Sequence, residues 1–195
     1  MNKTMKIIFI IAGVILSLLI LAALILPTPL AMSVYNDNFG KRFTTGEIYA
    51  FRVEDFDGLS CEKYTFTSDK GQKLTGYKYY RSSESPKGMV VIAHGFGGGG
   101  HRSYMNIADY FAGNGYWVFA YDATGNDESE GDVVGGLPQG IIDLDYALRF
   151  VKSEFEGLPI VLWGHSWGGY SVGSVTKLHP DVKADNLPKS RRQPI

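Results

Sequence analysis

The segment Pro159-Ile-Val-Leu-Trp-Gly-His-Ser-Trp-Gly-Gly-Tyr-Ser171 constrains the fold of this chain more than any other. Ile160 to Trp163 is a short apolar run, rich in β-branched residues and bounded by Pro159 and Gly164, which predicts a buried strand. Gly169 to Leu178 can wind as a helix. Between them lies Gly164-His-Ser-Trp-Gly168, a G-x-S-x-G pattern. A serine on so sharp a strand-to-helix turn has its hydroxyl pushed out of the sheet, within reach of a substrate. Glycines two before and two after it let neighbouring backbone pass close by and tolerate the strain of the turn. The pattern is short enough to recur by chance, so its weight depends on its surroundings.

The amino-terminal end imposes a second constraint. Ile7 to Leu26 carries no charge and is interrupted only by Gly13 and Ser17. As a helix it spans about 30 Å, the thickness of a bilayer's hydrocarbon core. A cleaved signal peptide is the rival, since Lys3 and Lys6 precede the run, but its apolar region is usually shorter and ends in an A-x-A-like site. Ala22-Ala23-Leu24 and Leu30-Ala31-Met32 match that site poorly, so residues 7–26 are read as an uncleaved single-pass anchor. Lys3 and Lys6 keep residues 1–6 in the cytoplasm, and no Lys or Arg follows until Lys41, which places the rest outside the cell membrane. Secretion after cleavage is the alternative. Residues 27–58 read as a tether, residues 59–182 as a partial globular domain, and residues 183–195 as an aberrant or disordered tail.

Within the globular part, Tyr64-Thr-Phe-Thr and Leu74-Thr-Gly-Tyr-Lys-Tyr-Tyr-Arg alternate around Ser68-Asp-Lys-Gly71 and predict an antiparallel hairpin. Met89-Val-Val-Ile-Ala93 is a continuous apolar strand suited to the middle of a parallel sheet. It runs into His94-Gly-Phe-Gly-Gly-Gly-Gly100, after which Ser103 to Asn114 predicts a helix. Tyr116 to Tyr121 is the next strand, ended by Asp122. A polar, glycine-rich loop covers Ala123 to Leu137, and Gln139 to Ser153 is the helix ahead of the Ile160 strand. Alternating strands and helices predict an α/β fold, a mostly parallel sheet with helices on both faces and an antiparallel hairpin at its start.

The glycine-rich loop admits two readings. Gly95, Gly97 and Gly100 fit G-x-G-x-x-G after a strand, and Asp122 ends the following strand 22 residues later, which is the pattern of a dinucleotide-binding protein. That reading leaves Gly164-His-Ser-Trp-Gly-Gly169 unexplained. It also puts the fingerprint after a hairpin, when it normally sits on the first strand of its domain. A reading in which both loops follow parallel strands at the sheet's carboxyl edge uses them together.

Taken in order, His94-Gly-Phe-Gly-Gly, Arg102-Ser-Tyr, Gly115-Tyr-Trp-Val-Phe-Ala-Tyr-Asp122, Gly125-x-x-x-Ser129-x-Gly131 and Gly164-His-Ser-Trp-Gly-Gly169 resemble the α/β-hydrolase family, most closely its monoglyceride-lipase-like and serine-aminopeptidase-like members. The resemblance covers roughly residues 64–179. It implies a serine hydrolase that cleaves carboxylic ester, lipid or peptide bonds through an acyl-enzyme on Ser166. The backbone N–H groups of Phe96 and Trp167 would form the oxyanion hole, where preorganised donors stabilise developing charge. His94, Gly95, Gly164 and Gly168 would shape the loops, and Asp122 would order its own. The family's loop after Asp122 often reads Asp-x-Arg-Gly-x-Gly-x-Ser. Thr124 and Asp127 stand here for the Arg and the second Gly, which predicts a more loosely held loop.

The pattern then departs from the family's order of Ser, acid and His. The sequence continues for 29 residues beyond Ser166, and Asp181 to Ile195 carries two prolines, four basic residues and almost no apolar period. That change of character near Asp185 is what a frameshift or premature stop would leave, with a genuine tail as the alternative. The histidines are His94, His101, His165 and His179, and none is expected to act as the base, so the resemblance implies a chain inactive by itself. Association with a partner chain that supplies the missing half is the non-enzymatic alternative. The expected ligand is a small acyl substrate or peptide, with no cofactor and no metal. A net charge of -1 and a pI near 6.4 give no footprint for nucleic acid. Cys61 stands alone, which excludes an intrachain disulfide.

Overall fold

A computed structural model describes residues 2–82 and 84–182; the tail expected over 183–195 lies outside them. The chain divides into two compact units, residues 1–40 and 41–195. The first consists of α1 (Lys3–Ile25), capped by the Asn2 side chain, and α2 (Pro27–Phe39), which opens on the proline that a first helical turn tolerates. None of α1 is buried, and at a mean hydropathy of 3.2 the apolar stretch has the length and composition to cross a membrane; a signal sequence meets the same test.

The second unit is built on a five-stranded sheet of order β1-β2-β4-β3-β5, comprising β1 (Ser60–Thr67), β2 (Lys73–Tyr80), β3 (Met89–Ala93), β4 (Trp117–Tyr121) and β5 (Ile160–Gly164). Its helices are α3 (Gly100–Ser103), α4 (Met105–Gly113), α5 (Gly136–Glu154) and α6 (Trp167–Val175). The hairpin forms in register Phe66 to Leu74, closed where Ser68 N–H donates to the Gln72 carbonyl over 2.9 Å. β3 lies parallel to both β4 and β5, whereas β2 runs antiparallel to β4. The sheet is therefore mixed, with the expected antiparallel hairpin at its start and the parallel strands β4-β3-β5 beyond it, as a partial α/β fold requires. Among the described residues, β5 forms one edge.

Strand alternation sorts the core into two layers. Tyr77, Tyr79, Val90, Ile92, Val118 and Ala120 face one side, where α4 brings Met105, Ala108, Phe111 and Ala112 onto them at helical spacing. On the other side Phe119 and Phe66 meet Phe150 of α5, the Phe66 and Phe150 rings stacked at 5.3 Å. Each fully buried valine or isoleucine here contributes on the order of 1.5–3 kcal/mol. All five residues of β3 are buried, as its unbroken apolar sequence requires.

Two expectations are corrected. Residues 27–58 are not a tether: they are helical to Phe39, and from Lys41 onward they belong to the second unit. Phe43 N–H donates to the Gly125 carbonyl, Asp127 N–H returns a bond to the Phe43 carbonyl, and the Thr45 N–H and hydroxyl both donate to the Asp127 carboxylate. The loop after Asp122 is also firmly held. Thr124 donates from its backbone and hydroxyl to Asp143, Ser129 Oγ bridges the Asp122 carbonyl and Thr75 N–H, and Arg42 donates to the carbonyls of Asp127, Ser129 and Gly131. Asp127, at φ 34°, takes the left-handed conformation that favours glycine, and its carboxylate supplies the compensating bonds.

Losing a charged acceptor for two donors destabilises locally by a few kcal/mol. Asp127→Ala is expected to expose Arg42 and Arg52 to trypsin at least tenfold faster than in the native chain, with cleavage sites read by mass spectrometry. Equal rates would show that Thr45 is held by something else.

Candidate active site

The site grows from the end of β5. Ser166 follows the strand by two residues and takes the position just before α6 without a side-chain capping bond, with φ 53° and ψ -115°. For a residue with a Cβ this conformation costs on the order of 1–3 kcal/mol and persists only where the surroundings enforce it. Here they do. A Cβ on Gly164 would lie 2.5 Å from the Gly168 carbonyl oxygen, and one on Gly168 would fall onto the Ala93 carbonyl. The turn is thus pressed against the end of β3, and the Ser166 side chain is left exposed. Gly168 N–H donates to the His165 carbonyl over 2.9 Å and Tyr170 N–H to the Ser166 carbonyl over 3.0 Å, which starts α6. Trp167 occupies the first turn of that helix, where backbone N–H groups lack intrahelical acceptors.

The glycine-rich loop sits alongside. His94 is buried with both ring nitrogens engaged: Nδ1 donates to the Gly95 carbonyl at 2.8 Å, and Nε2 accepts from Ala123 N–H at 3.0 Å. Burial holds its pKa below the usual histidine value, so the ring is neutral. Gly95 N–H donates to the Tyr104 hydroxyl at 2.9 Å, and that hydroxyl lies 2.9 Å from His165 Nδ1, joining the loop to the elbow. The Phe96 ring meets the Trp167 ring edge-on at 6.2 Å, so the two residues expected to supply the oxyanion donors are neighbours.

A cleft of about 480 Å³ opens beside these residues. Phe96, His165, Tyr104 and Trp163 line it together with Thr45, Ile48, Tyr49 and Phe51 from the segment before β1. Ser166 is next to the lining rather than in it.

Asp122 lies fully buried below the glycine loop, accepting weakly from His101 N–H (3.3 Å) and Glu128 N–H (3.4 Å). Desolvation, reinforced by the nearby Asp127 carboxylate, pushes its pKa up to about 7. The dinucleotide reading fails here, because Asp122 is sealed from any ribose and the loop enters a helix of only 4 residues. Among the described residues no group of three or more His, Cys, Asp or Glu could hold a metal ion.

The remaining histidines are committed elsewhere. His101 stacks on Tyr77 with ring centroids 3.6 Å apart and bonds the Tyr79 hydroxyl; burial lowers its pKa to about 4. His179 is buried at the foot of α6, with Nε2 2.7 Å from Asp145 and Nδ1 2.9 Å from Lys152 Nζ, both on α5. No described side chain hydrogen-bonds the Ser166 hydroxyl. The structure therefore brings Ser166, Phe96, Trp167, His94 and the flanking glycines together, but no base with them.

A family profile described as serine aminopeptidase, S33, matches residues 84–186, just over half of the chain. The chain belongs to the α/β-hydrolase family. Human monoglyceride lipase is 32% identical over 94 residues, covering 47% of this chain and 31% of that protein. A monoacylglycerol lipase of Mycolicibacterium smegmatis is 28% identical over 120 residues, covering 60% of this chain and 42% of that one. An esterase of Pyrococcus furiosus has the same fold, with a TM-score of 0.60 at 16% identity over 73% of this chain and 52% of that one. The chain thus spans less than half the length of these curated relatives.

Three contributors to this α/β-hydrolase site carry little local signal in the sequence. Tyr104 lies in Arg102-Ser-Tyr, a motif that gives it no role of its own. Thr45 and its neighbours fall within the stretch read as a tether, whose segment from Phe43 to Asp57 reads as a short amphipathic approach to the domain; Phe43, Phe51 and Phe56 give it the aromatic density of a packed segment. Gly140 of α5 makes room for the indole of Trp167: a Cβ there would lie 2.6 Å from the ring's Cε2.

Gly168→Ala is expected to unfold the elbow or displace α6, with a loss of several degrees in Tm, because its new methyl meets backbone rather than a movable side chain. Asp122 gives a pH signature. Its folded pKa near 7 exceeds the unfolded carboxylate value, so its contribution is full below about pH 4 and lost as pH rises through 7. Asp122→Asn should therefore flatten the fall in Tm between pH 5 and pH 8. A parallel profile would contradict the buried-acid assignment.

Proposed function

We propose that this chain carries the nucleophile and oxyanion half of a membrane-anchored serine hydrolase acting on carboxylic esters. Lipid or peptide acyl groups are the wider substrate class. The observation that supports it is the Ser166 backbone: a positive φ on a serine, enforced by two glycines whose Cβ positions are taken by backbone, with the side chain outward beside a cleft. In this reading the Ser166 hydroxyl attacks the acyl carbon. The N–H groups of Phe96 and Trp167 receive the developing oxyanion, and the alcohol or amine leaves as the acyl-enzyme forms. His94, Gly95, Gly164 and Gly168 hold the two loops at the right separation. The relatives named for monoacylglycerol and monoglyceride lipase activity favour the ester class.

The base is the open part of the machinery. His94, His101 and His179 have partners that keep them from Ser166, and His165 is turned to Tyr104. A histidine donated from outside the described residues is needed for full rate, and without it the chain by itself is proposed to be inactive or nearly so. Among the described residues β5 is an edge strand, where a companion segment or chain would add, which supports association as a second reading. The anchor proposal, with residues 1–6 cytoplasmic and the hydrolase unit outside, rests on the unburied apolar helix and on Lys3 and Lys6.

A fluorophosphonate probe is expected to label Ser166 in the purified chain and to lose that label in Ser166→Ala. The rate should lie at least about 10³-fold below that of a complete Ser–His–acid enzyme. Label on another residue, or equal label in the variant, would remove Ser166 from the role. For the anchor, alkaline carbonate should leave the full chain in the membrane fraction, and release of a shortened chain would favour signal cleavage.

A further inference from the structure

The cleft has a wall that comes from outside the strand–helix framework. Residues 45–51 precede β1, and they are fastened at several points. Thr45 is held by Asp127 and accepts from Gly99 N–H at 2.9 Å, Glu47 pairs with Arg102, and Phe51 N–H donates to the Arg102 carbonyl at 3.0 Å. This wall is therefore preformed. Its side chains are also left wet: Ile48 is 93% exposed and Tyr49 74% exposed, next to a half-covered Phe51. Single exposed apolar residues need no explanation, but three around one cleft mark a surface that a ligand covers.

The lining chemistry is one-sided. Among the described residues no Asp, Glu, Lys or Arg lines the cleft. Gly95, Tyr104 and His165 meet in hydrogen bonds beside Ser166 in sequence, Thr45, Ser103 and Asn106 add uncharged polar groups, and Ile48, Tyr49, Phe51, Ile107 and Trp163 supply apolar surface. A volume of about 480 Å³ falls within the range of small-molecule sites. A substrate with a charged amino terminus finds no carboxylate in the described lining to offset its desolvation, Glu47 of the same segment being paired with Arg102, whereas a hydrocarbon chain with a polar group at one end matches the mixed lining.

We propose that residues 45–51 are the acyl-selecting wall, with the hydrocarbon tail of a straight-chain acyl substrate lying between Ile48, Tyr49 and Phe51 on one side and Ile107 and Trp163 on the other. The inference rests on the reading of Ser166 as nucleophile, since it sets the acyl carbon at the Phe96–His165 end. It assigns the site to fatty acyl esters in preference to amino-terminal peptides, and it makes Ile48 and Tyr49 specificity-determining residues.

The test is photo-crosslinking to the full chain in lipid nanodiscs, using an octanoic acid that carries a diazirine near its methyl end, with crosslinks mapped by mass spectrometry. Crosslinks that excess octanoate removes are expected on residues 45–51, Ile107 and Trp163, equally in the native chain and in Ser166→Ala. Each buried methylene is worth about fourfold, so butanoate should compete at least tenfold less well than octanoate. Ile48→Asp and Tyr49→Asp, both at solvent-exposed positions, should each cut the competed signal at least fivefold, with unchanged circular dichroism. A diazirine-bearing leucine amide, which keeps its ammonium group, should give no competed crosslink. Competed crosslinks elsewhere, no competed crosslinks, indifference to both substitutions, or preference for the amide would each overturn the wall. Since this readout does not involve Ser166, failure of fluorophosphonate labelling with an intact crosslink map would sink the nucleophile reading alone.

Discussion

The whole site depends on one close approach of backbone to backbone. Gly168 lies against the carbonyl of Ala93 so tightly that no Cβ fits, and Gly164 is equally tight against Gly168. This contact joins the ends of two adjacent parallel strands, β3 and β5, and so brings the loops after them into one place. Ser166 has nowhere to go but outward, into a conformation that L-residues avoid. The strain is held by packing that the sheet supplies; Val90, Val91 and Ile92 are all but inaccessible to solvent. Function at this site is a consequence of how the sheet ends.

Around that contact, the polar groups form a chain of ties rather than a set of separate pairs. His94 links its own loop to Ala123, Tyr104 links Gly95 to His165, and Thr45 links Gly99 to Asp127. Each tie uses a side chain to satisfy backbone groups that the glycine-rich loop leaves without ladder partners. Asp122 sits beneath them as a buried acid whose neutral form is the better tolerated one near neutrality. The same network that orients the candidate oxyanion donors also fastens the segment that walls the cleft.

How far the sequence could be read follows from the range of the interactions involved. The strands and the elbow were legible because their signals are local: an apolar run at Met89–Ala93, alternation in the hairpin, and glycines flanking Ser166 by two residues. The glycine loop was legible only in company, since alone it equally fitted a nucleotide site until Asp122 proved buried. What escaped was tertiary. Tyr104 and His165 are 61 residues apart and Thr45 and Asp127 are 82 apart, and no period in the sequence announces either pair. The antiparallel join of β2 to β4 escaped for the same reason, because pairing across the sheet is not written in the order of its strands.

In its proposed role Ser166 is presented for attack yet has no base among the described histidines. Exogenous imidazole tests it most directly, because a small diffusible base can reach an exposed hydroxyl that lacks one. Slow fluorophosphonate labelling of Ser166 that accelerates in proportion to imidazole concentration is the expected result. Fast labelling indifferent to imidazole would mean that one of His94, His101, His165 or His179 already serves the hydroxyl, and the arrangement described for them would be contradicted.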